Sequence, residues 1–276
     1  MDGIGSLFIV DGELSTLFDS MALNSGIQLA TELIFTDQYC QILIDNISDT
    51  QSSFEVVKKT IETQKVNVSI IEIEADMDAY SLVYRPGKVS TIFLNPLLLM
   101  QMRLSELRQD PRQPHNESVK CSLFVAVKIV HEFSHLIHPL ISPNLRQQIV
   151  KKSLGGEGKR KMVTPEKSKS GRIFHDFGDM IEFDLFGGIM DIFTTGSQQN
   201  AFCIYELVLY DHPTARHGRV VSVQKSPYAV GDILTKKLEL CPEIVDKPPK
   251  KYNLLNINRG NLGDARFSSR PFSPES

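Results

Sequence analysis

From Ser118 to His138 the chain reads SVKCSLFVAVKIVHEFSHLIH, an apolar run without glycine or proline. A segment of this length and pattern predicts a helix buried on most of its surface, around which the rest of the chain is arranged. Asn116 and Ser118 are candidate N-caps and Pro139 is the expected stop. In its last turns His131 and His135 stand four residues apart, with Glu132 beside the first. On a helix this spacing puts both imidazoles on one face, a turn apart, within reach of one metal ion. Neutral imidazoles suit Zn2+ at about 2.0–2.1 Å, and a catalytic zinc takes three protein ligands and keeps a fourth position open. Glu132 is then the general base that takes a proton from the attacking water. The competing reading is a pair of core histidines, for which each polar group of the motif needs its own buried partner.

A third ligand has to come from elsewhere. The metzincin arrangement, a further histidine six residues on, is absent: position 141 is Ile. A glutamate from a later helix, the gluzincin arrangement, is available in Gly178–Gly188 (GDMIEFDLFGG). Glu182 shares a helical face with Leu185, Phe186 and Ile189, so its carboxylate sits in an apolar stripe and needs a cation. Asp179, Asp184 and His175 are the alternatives to it.

The order HEFSH, a loop containing Thr164-Pro165-Glu166-Lys167, and a Gly-x-x-x-Glu-x-x-Leu-Phe-Gly-Gly helix resembles a group of uncharacterised fungal proteins with a zincin-like metallopeptidase core, over roughly Thr91 to Phe193. The resemblance implies His131, His135 and Glu182 as metal ligands and a sheet beside the HExxH helix. Phe186 stands where thermolysin-like enzymes carry an aspartate, which leaves the partner that orients the zinc histidines unassigned.

The periodicity elsewhere predicts an α+β, zincin-like fold, with a small, mostly antiparallel sheet on the motif helix and additional helices. Leu7 to Val10 is a short apolar run. Two or three amphipathic helices follow, on Leu14, Leu17, Phe18 and Met21, on Leu29 and Leu33, and on Tyr39, Ile42, Leu43 and Ile47, and a further one runs over Ser52–Gln64. Strands are expected at Val66–Glu74, Tyr80–Tyr84 and Ser90–Leu94, with Pro86-Gly87 as a turn. Helices are expected over Leu97–Leu107, Asn144–Ile149, Gly178–Phe193 and Tyr228–Leu238, and strands at Ala201–Tyr210 and Arg219–Val223. Residues 1–246 then form one domain, helical at its N-terminal end (residues 1–64) and with a metal-binding core over residues 65–240. Leu154 to Gly171 reads as a flexible basic loop and 247–276 as a disordered tail.

Charge is uneven: residues 1–80 carry fourteen acidic residues against three lysines, and 145–172 carry nine basic residues against two glutamates. The basic stretch has no interleaved aromatics and reads as a solvated segment, so no nucleic-acid partner is expected. The absence of Lys and Arg before Lys58, and of a run near the roughly 20 residues of a membrane helix, predicts an intracellular, cytoplasmic protein with no membrane partner. Cys40, Cys121, Cys203 and Cys241 lie far apart and read as buried thiols.

The function that follows is a zinc-dependent peptidase or amide hydrolase acting on a peptide or protein. Tyr205, Tyr210, His212 and His217 are candidates for oxyanion stabilisation, and His138 for lining the pocket. The alternative from another class is a zincin fold kept as a non-catalytic binding module.

Overall fold

The computed structural model describes residues 7–10, 21–47, 53–70, 81–84, 90–94, 99, 116–142, 166–167, 173–174, 176–194, 204–212, 215–221, 238 and 240–246. In chain order the elements are β1 (Phe8–Val10), α1 (Met21–Ile34), α2 (Asp37–Asn46), α3 (Phe54–Glu62), β2 (Val66–Ile70), β3 (Ser81–Tyr84) and β4 (Ser90–Leu94). They continue with α4 (Asn116–Ile141), β5 (Glu166–Lys167), β6 (Ile173–Phe174), α5 (Phe177–Phe186), β7 (Ile189–Thr194), β8 (Ile204–Tyr210), β9 (His217–Val221) and β10 (Leu240–Asp246).

The apolar run is the helix α4, and it lies at the centre: α1, α3, α5, β3, β4, β7 and β8 all pack on it. Phe124 to Val127, Ile129, Val130, Phe133 and Ile137 are fully buried, as the unbroken apolar pattern requires. Pro139 does not stop it. The helix continues to Ile141, and Ser142 N–H reaches His138 O at 2.9 Å. A proline in the last turn removes only the bond to the carbonyl four residues earlier, which a helix end can lose. By length and composition Ser118–Ile141 also passes for a membrane span, contrary to the expectation that no run comes near that length, but most of it is buried within the fold.

The first sheet has the order β1-β2-β4-β3, and it corrects the expectation of a mostly antiparallel sheet. β1 pairs parallel with β2 (Phe8 opposite Val66), and β2 pairs parallel with β4 (Val66 opposite Ser90). Only β3 and β4 are antiparallel, with Ser81 opposite Leu94. The reason lies in the connections. The three helices α1 to α3 form a crossover between β1 and β2, which returns the chain in the same direction, whereas the short segment holding Pro86-Gly87 joins β3 and β4 as an antiparallel pair. Val66, Val68, Ile92 and Leu94 bury one face of the sheet in the core.

The second sheet, β10-β9-β8-β7, is antiparallel throughout. The helix expected over Gly178–Phe193 ends at Phe186, because Gly187 takes a left-handed conformation (φ 81°) and its N–H closes on Phe183 O. Ile189–Thr194 then becomes β7. β10 is not among the expected strands, and it contains Pro242, a residue that sheets tolerate at edges and bulges. It lies on the edge of the sheet, and the register shifts between Leu240 and Ile244, around that proline.

Of the basic loop, Glu166–Lys167 pairs with Ile173–Phe174 as a small ribbon. The remainder of 154–171, the tail 247–276, the Asn144–Ile149 helix and nearly all of the Tyr228–Leu238 helix lie outside the described residues. Leu99 is helical and buried. Cys40 and Cys121 are buried thiols, as expected.

Candidate metal centre

Lys128, His131, His135 and His138 fall on one face of α4, at spacings of three, four and three. The two intervening residues of the motif fix that face from behind. Phe133 is fully buried against Phe8 and Tyr39, with ring centroids 6.0 and 6.4 Å away, and Ser134 Oγ meets Tyr39 Oη at 2.9 Å. With that side anchored in the core, the histidines turn to α5.

α5 meets them with its N-terminal half. Asp176 is its N-cap, and its Oδ1 accepts from Asp179 N–H at 3.1 Å. The same oxygen lies 3.0 Å from His135 Nε2 and 3.3 Å from His131 Nε2. These three donor atoms all lie within 4.8 Å of one another. A tetrahedral ion with ligand bonds of about 2.0–2.1 Å spaces its ligands by roughly 3.3–3.4 Å. The separations from Asp176 Oδ1 therefore suit a shared ion, and two imidazoles with one carboxylate are a zinc-type donor set.

Glu182 lies on the other side of His131. Its Oε1 accepts from His131 Nδ1 at 2.8 Å and from Lys128 Nζ at 2.8 Å, and its Oε2 accepts from Met190 N–H at 2.8 Å. The structure thus brings Glu182, expected as the third ligand beside His131 and His135, to Nδ1 of His131, away from the Nε2 side that faces Asp176 and His135. The reason is physical: its carboxylate has no exposure, and Lys128 supplies the cation that burial demands. A second grouping of His131, Asp179 and Glu182 is close enough to hold a cation, but Lys128 already sits on its glutamate.

Side-chain exposure rises along the row, from 0% at Glu182 through 14% at His131 and 28% at His135 to 42% at Asp176. The cluster thus opens to solvent at the Asp176 end. Burial opposes the charged form of His131, but the hydrogen bond and charge of Glu182, with the charges of Asp176 and Glu132, outweigh it and carry the metal-free imidazole up to about 9. Burial likewise works against ionised Asp176, yet the His135 hydrogen bond, both imidazoles and the Asp179 N–H hold it well below the usual carboxylate range. Asp179 is pushed up to about 6 by burial, against the pull of His131. Glu132 is buried beside His131, with 7% exposure.

The other candidates are placed as follows. Asp184 accepts from Asn46 Nδ2 at 2.7 Å and so ties α5 to α2. His138 is buried and stacks on Phe177 at 3.9 Å. Tyr210 is buried on β8, where burial and then the charge of Asp191 push its hydroxyl up to about 12. His212 lies 6.0 Å from the Phe174 ring, and His217 is exposed on β9. His175 and the side chain of Tyr205 lie outside the described residues.

Sequence reasoning missed Asp176 and Lys128. Asp176 had a signal: an aspartate directly before a helix, three residues ahead of another acidic residue, is an N-cap pattern. Lys128 had a weaker one, a lone lysine in the apolar run one turn before His131. No protein-family model matches the chain, and comparison with the curated proteins and with the solved structures brings up no match.

Proposed function

We propose that the chain is a zinc-dependent hydrolase of peptide or amide bonds, with His131, His135 and Asp176 as the metal ligands and Glu132 as the general base. The observation that carries this reading is the convergence of two imidazole Nε2 atoms and one carboxylate oxygen, 3.0 and 3.3 Å from that oxygen, at the solvent-facing end of a buried cluster. When bound, Zn2+ supplies a Lewis acid that polarises a carbonyl and makes water easier to deprotonate. His131 and His135 bring their Nε2 atoms to one carboxylate oxygen, and Asp176 contributes the negative charge. Glu132, next to His131 in a largely dehydrated position, accepts the proton from water and returns it to the leaving amine.

A peptide-type substrate is supported by the first sheet. Its last strand, β3, packs on α4, and among the described residues its outer edge has no strand paired to it. Such an edge offers backbone N–H and C=O groups to an extended chain.

Metal analysis of the purified protein tests the reading. About one zinc per chain is expected, lost in His131→Ala, His135→Ala and Asp176→Ala, and retained in Glu132→Gln with loss of hydrolysis. Stoichiometric zinc in a His131→Ala/His135→Ala double variant would refute the centre. Full zinc in Asp176→Ala would return the third-ligand role to another carboxylate.

A further inference from the structure

We propose that Glu182 and Lys128 are positioning residues that fix the ring orientation and tautomer of His131, holding its Nδ1–H so that Nε2 faces Asp176 and His135. The inference rests on the zinc reading for its purpose and on the geometry of the cluster for its substance.

Three donors immobilise the Glu182 carboxylate. Lys128 Nζ and His131 Nδ1 share Oε1, and the Met190 amide takes Oε2, each at 2.8 Å. An ionised carboxylate only accepts, and both ring nitrogens of His131 face one, Glu182 at 2.8 Å from Nδ1 and Asp176 at 3.3 Å from Nε2. The shorter, more deeply buried contact keeps its proton on Nδ1, which leaves Nε2 as the nitrogen that gives up its proton to an ion. Asp179 is the other carboxylate near Nδ1, but at 3.9 Å it is beyond hydrogen-bond range. Lys128 has a separate task. A buried anion next to an imidazole competes for a cation, and an ammonium group on the same oxygen satisfies that demand without a metal. Glu182 is thereby kept on Nδ1 as an acceptor.

The face of the ring is fixed as well. Gly178 lies against it so closely that a Cβ built there would overlap His131 Cδ2, Nε2 and Cε1. With a backbone on its face and a carboxylate on Nδ1, the imidazole has one orientation. The chain thus supplies from Lys128 and Glu182 what a partner of a metal-binding histidine supplies generally, a fixed tautomer and a more basic ligand nitrogen.

The test combines zinc affinity, by competition with a chromophoric chelator, with nitrogen-15 spectra of the imidazoles. The proteins are the wild type, Glu182→Gln, and the Lys128→Met/Glu182→Gln double variant, which leaves no charge unpaired if the single variant fails to fold. The wild type is expected to show His131 with Nδ1 protonated and Nε2 coordinated. Both variants should bind zinc about 10–100-fold more weakly and lose the downfield Nδ1–H resonance. A folded double variant within about twofold of wild-type affinity, with that resonance intact, would overturn the proposal, as would coordination through Nδ1. The metal-free spectra separate the two readings. A Glu182-dependent Nδ1–H resonance in a protein that takes up no zinc would remove the metal centre and leave the positioning role. Its absence beside a normal zinc site would do the reverse.

Discussion

Breaking the Lys128–Glu182 pair should cost far more than breaking a surface ion pair, and the geometry sets the scale. Glu182 has no exposed side-chain surface, Lys128 has 11%, and the two are 2.8 Å apart. Removing one partner of a buried pair leaves an unsolvated charge, at about 3–5 kcal/mol. In Glu182→Gln the charges of Asp179 and Asp191 still act on Lys128, so the lower end of that range, about 3 kcal/mol, is expected. In Lys128→Met the carboxylate keeps His131 and the Met190 amide, and about 2 kcal/mol is expected. The double variant Lys128→Met/Glu182→Gln buries no unpaired charge and should lose much less than the sum, a coupling of about 2–3 kcal/mol. Urea denaturation followed by circular dichroism reads this, since the chain has no tryptophan. A chelator must be present, because bound metal adds its own stabilisation. A coupling under about 0.5 kcal/mol would refute the argument, for that is the behaviour of a solvated pair.

Other outcomes follow from single contacts. Gly178→Ala should destabilise the fold by about 1–3 kcal/mol and weaken zinc binding by at least about tenfold in the same competition titration, because its Cβ overlaps the His131 ring. Gly187→Ala, at φ 81° with open space around it, should lose about 1 kcal/mol in urea without any change in zinc affinity. Asp184→Ala removes the contact with Asn46 and should leave one zinc per chain by metal analysis. The metal-free protein should lose stability as pH rises from 6.5 toward 9. His131 is held above its ordinary 6.5, so the folded state keeps a proton that the unfolded state gives up. That slope, at most about 1.4 kcal/mol per pH unit, should flatten in His131→Gln when denaturation is repeated across the range.

Much of the scaffold was legible because it rests on local periodicity. The motif helix, the Phe54–Glu62 helix and the strand Ser90–Leu94 follow from spacing of apolar residues alone. Direction of pairing was not, since it depends on what the connections do. A hairpin-like turn at Pro86-Gly87 is visible in a sequence, while the decision of three helices to form a crossover is a tertiary event. Periodicity overstates the helix over Gly178–Phe193 because Ile189, Ile192 and Phe193 continue a helical spacing as well as a strand. Only the left-handed Gly187 separates the two.

The carboxylates around His131 lie beyond local reading for a different reason. Glu182 and Asp176 sit nearly two turns apart on one helix, and both carboxylates reach His131, one at each ring nitrogen. Sequence spacing can say that a carboxylate on α5 approaches the motif helix, but which nitrogen it meets depends on the crossing of two helices. The partners of the two carboxylates then differ. The glutamate in the apolar stripe needed a cation, and Lys128, one turn before His131 on the same face, satisfies it without a metal. The aspartate at the helix start remains 42% exposed, with its Oδ1 shared between two imidazoles. A buried carboxylate paired with lysine meets Nδ1 of its histidine, and a half-open carboxylate lies between the Nε2 atoms of two imidazoles; the proposed centre rests on that difference.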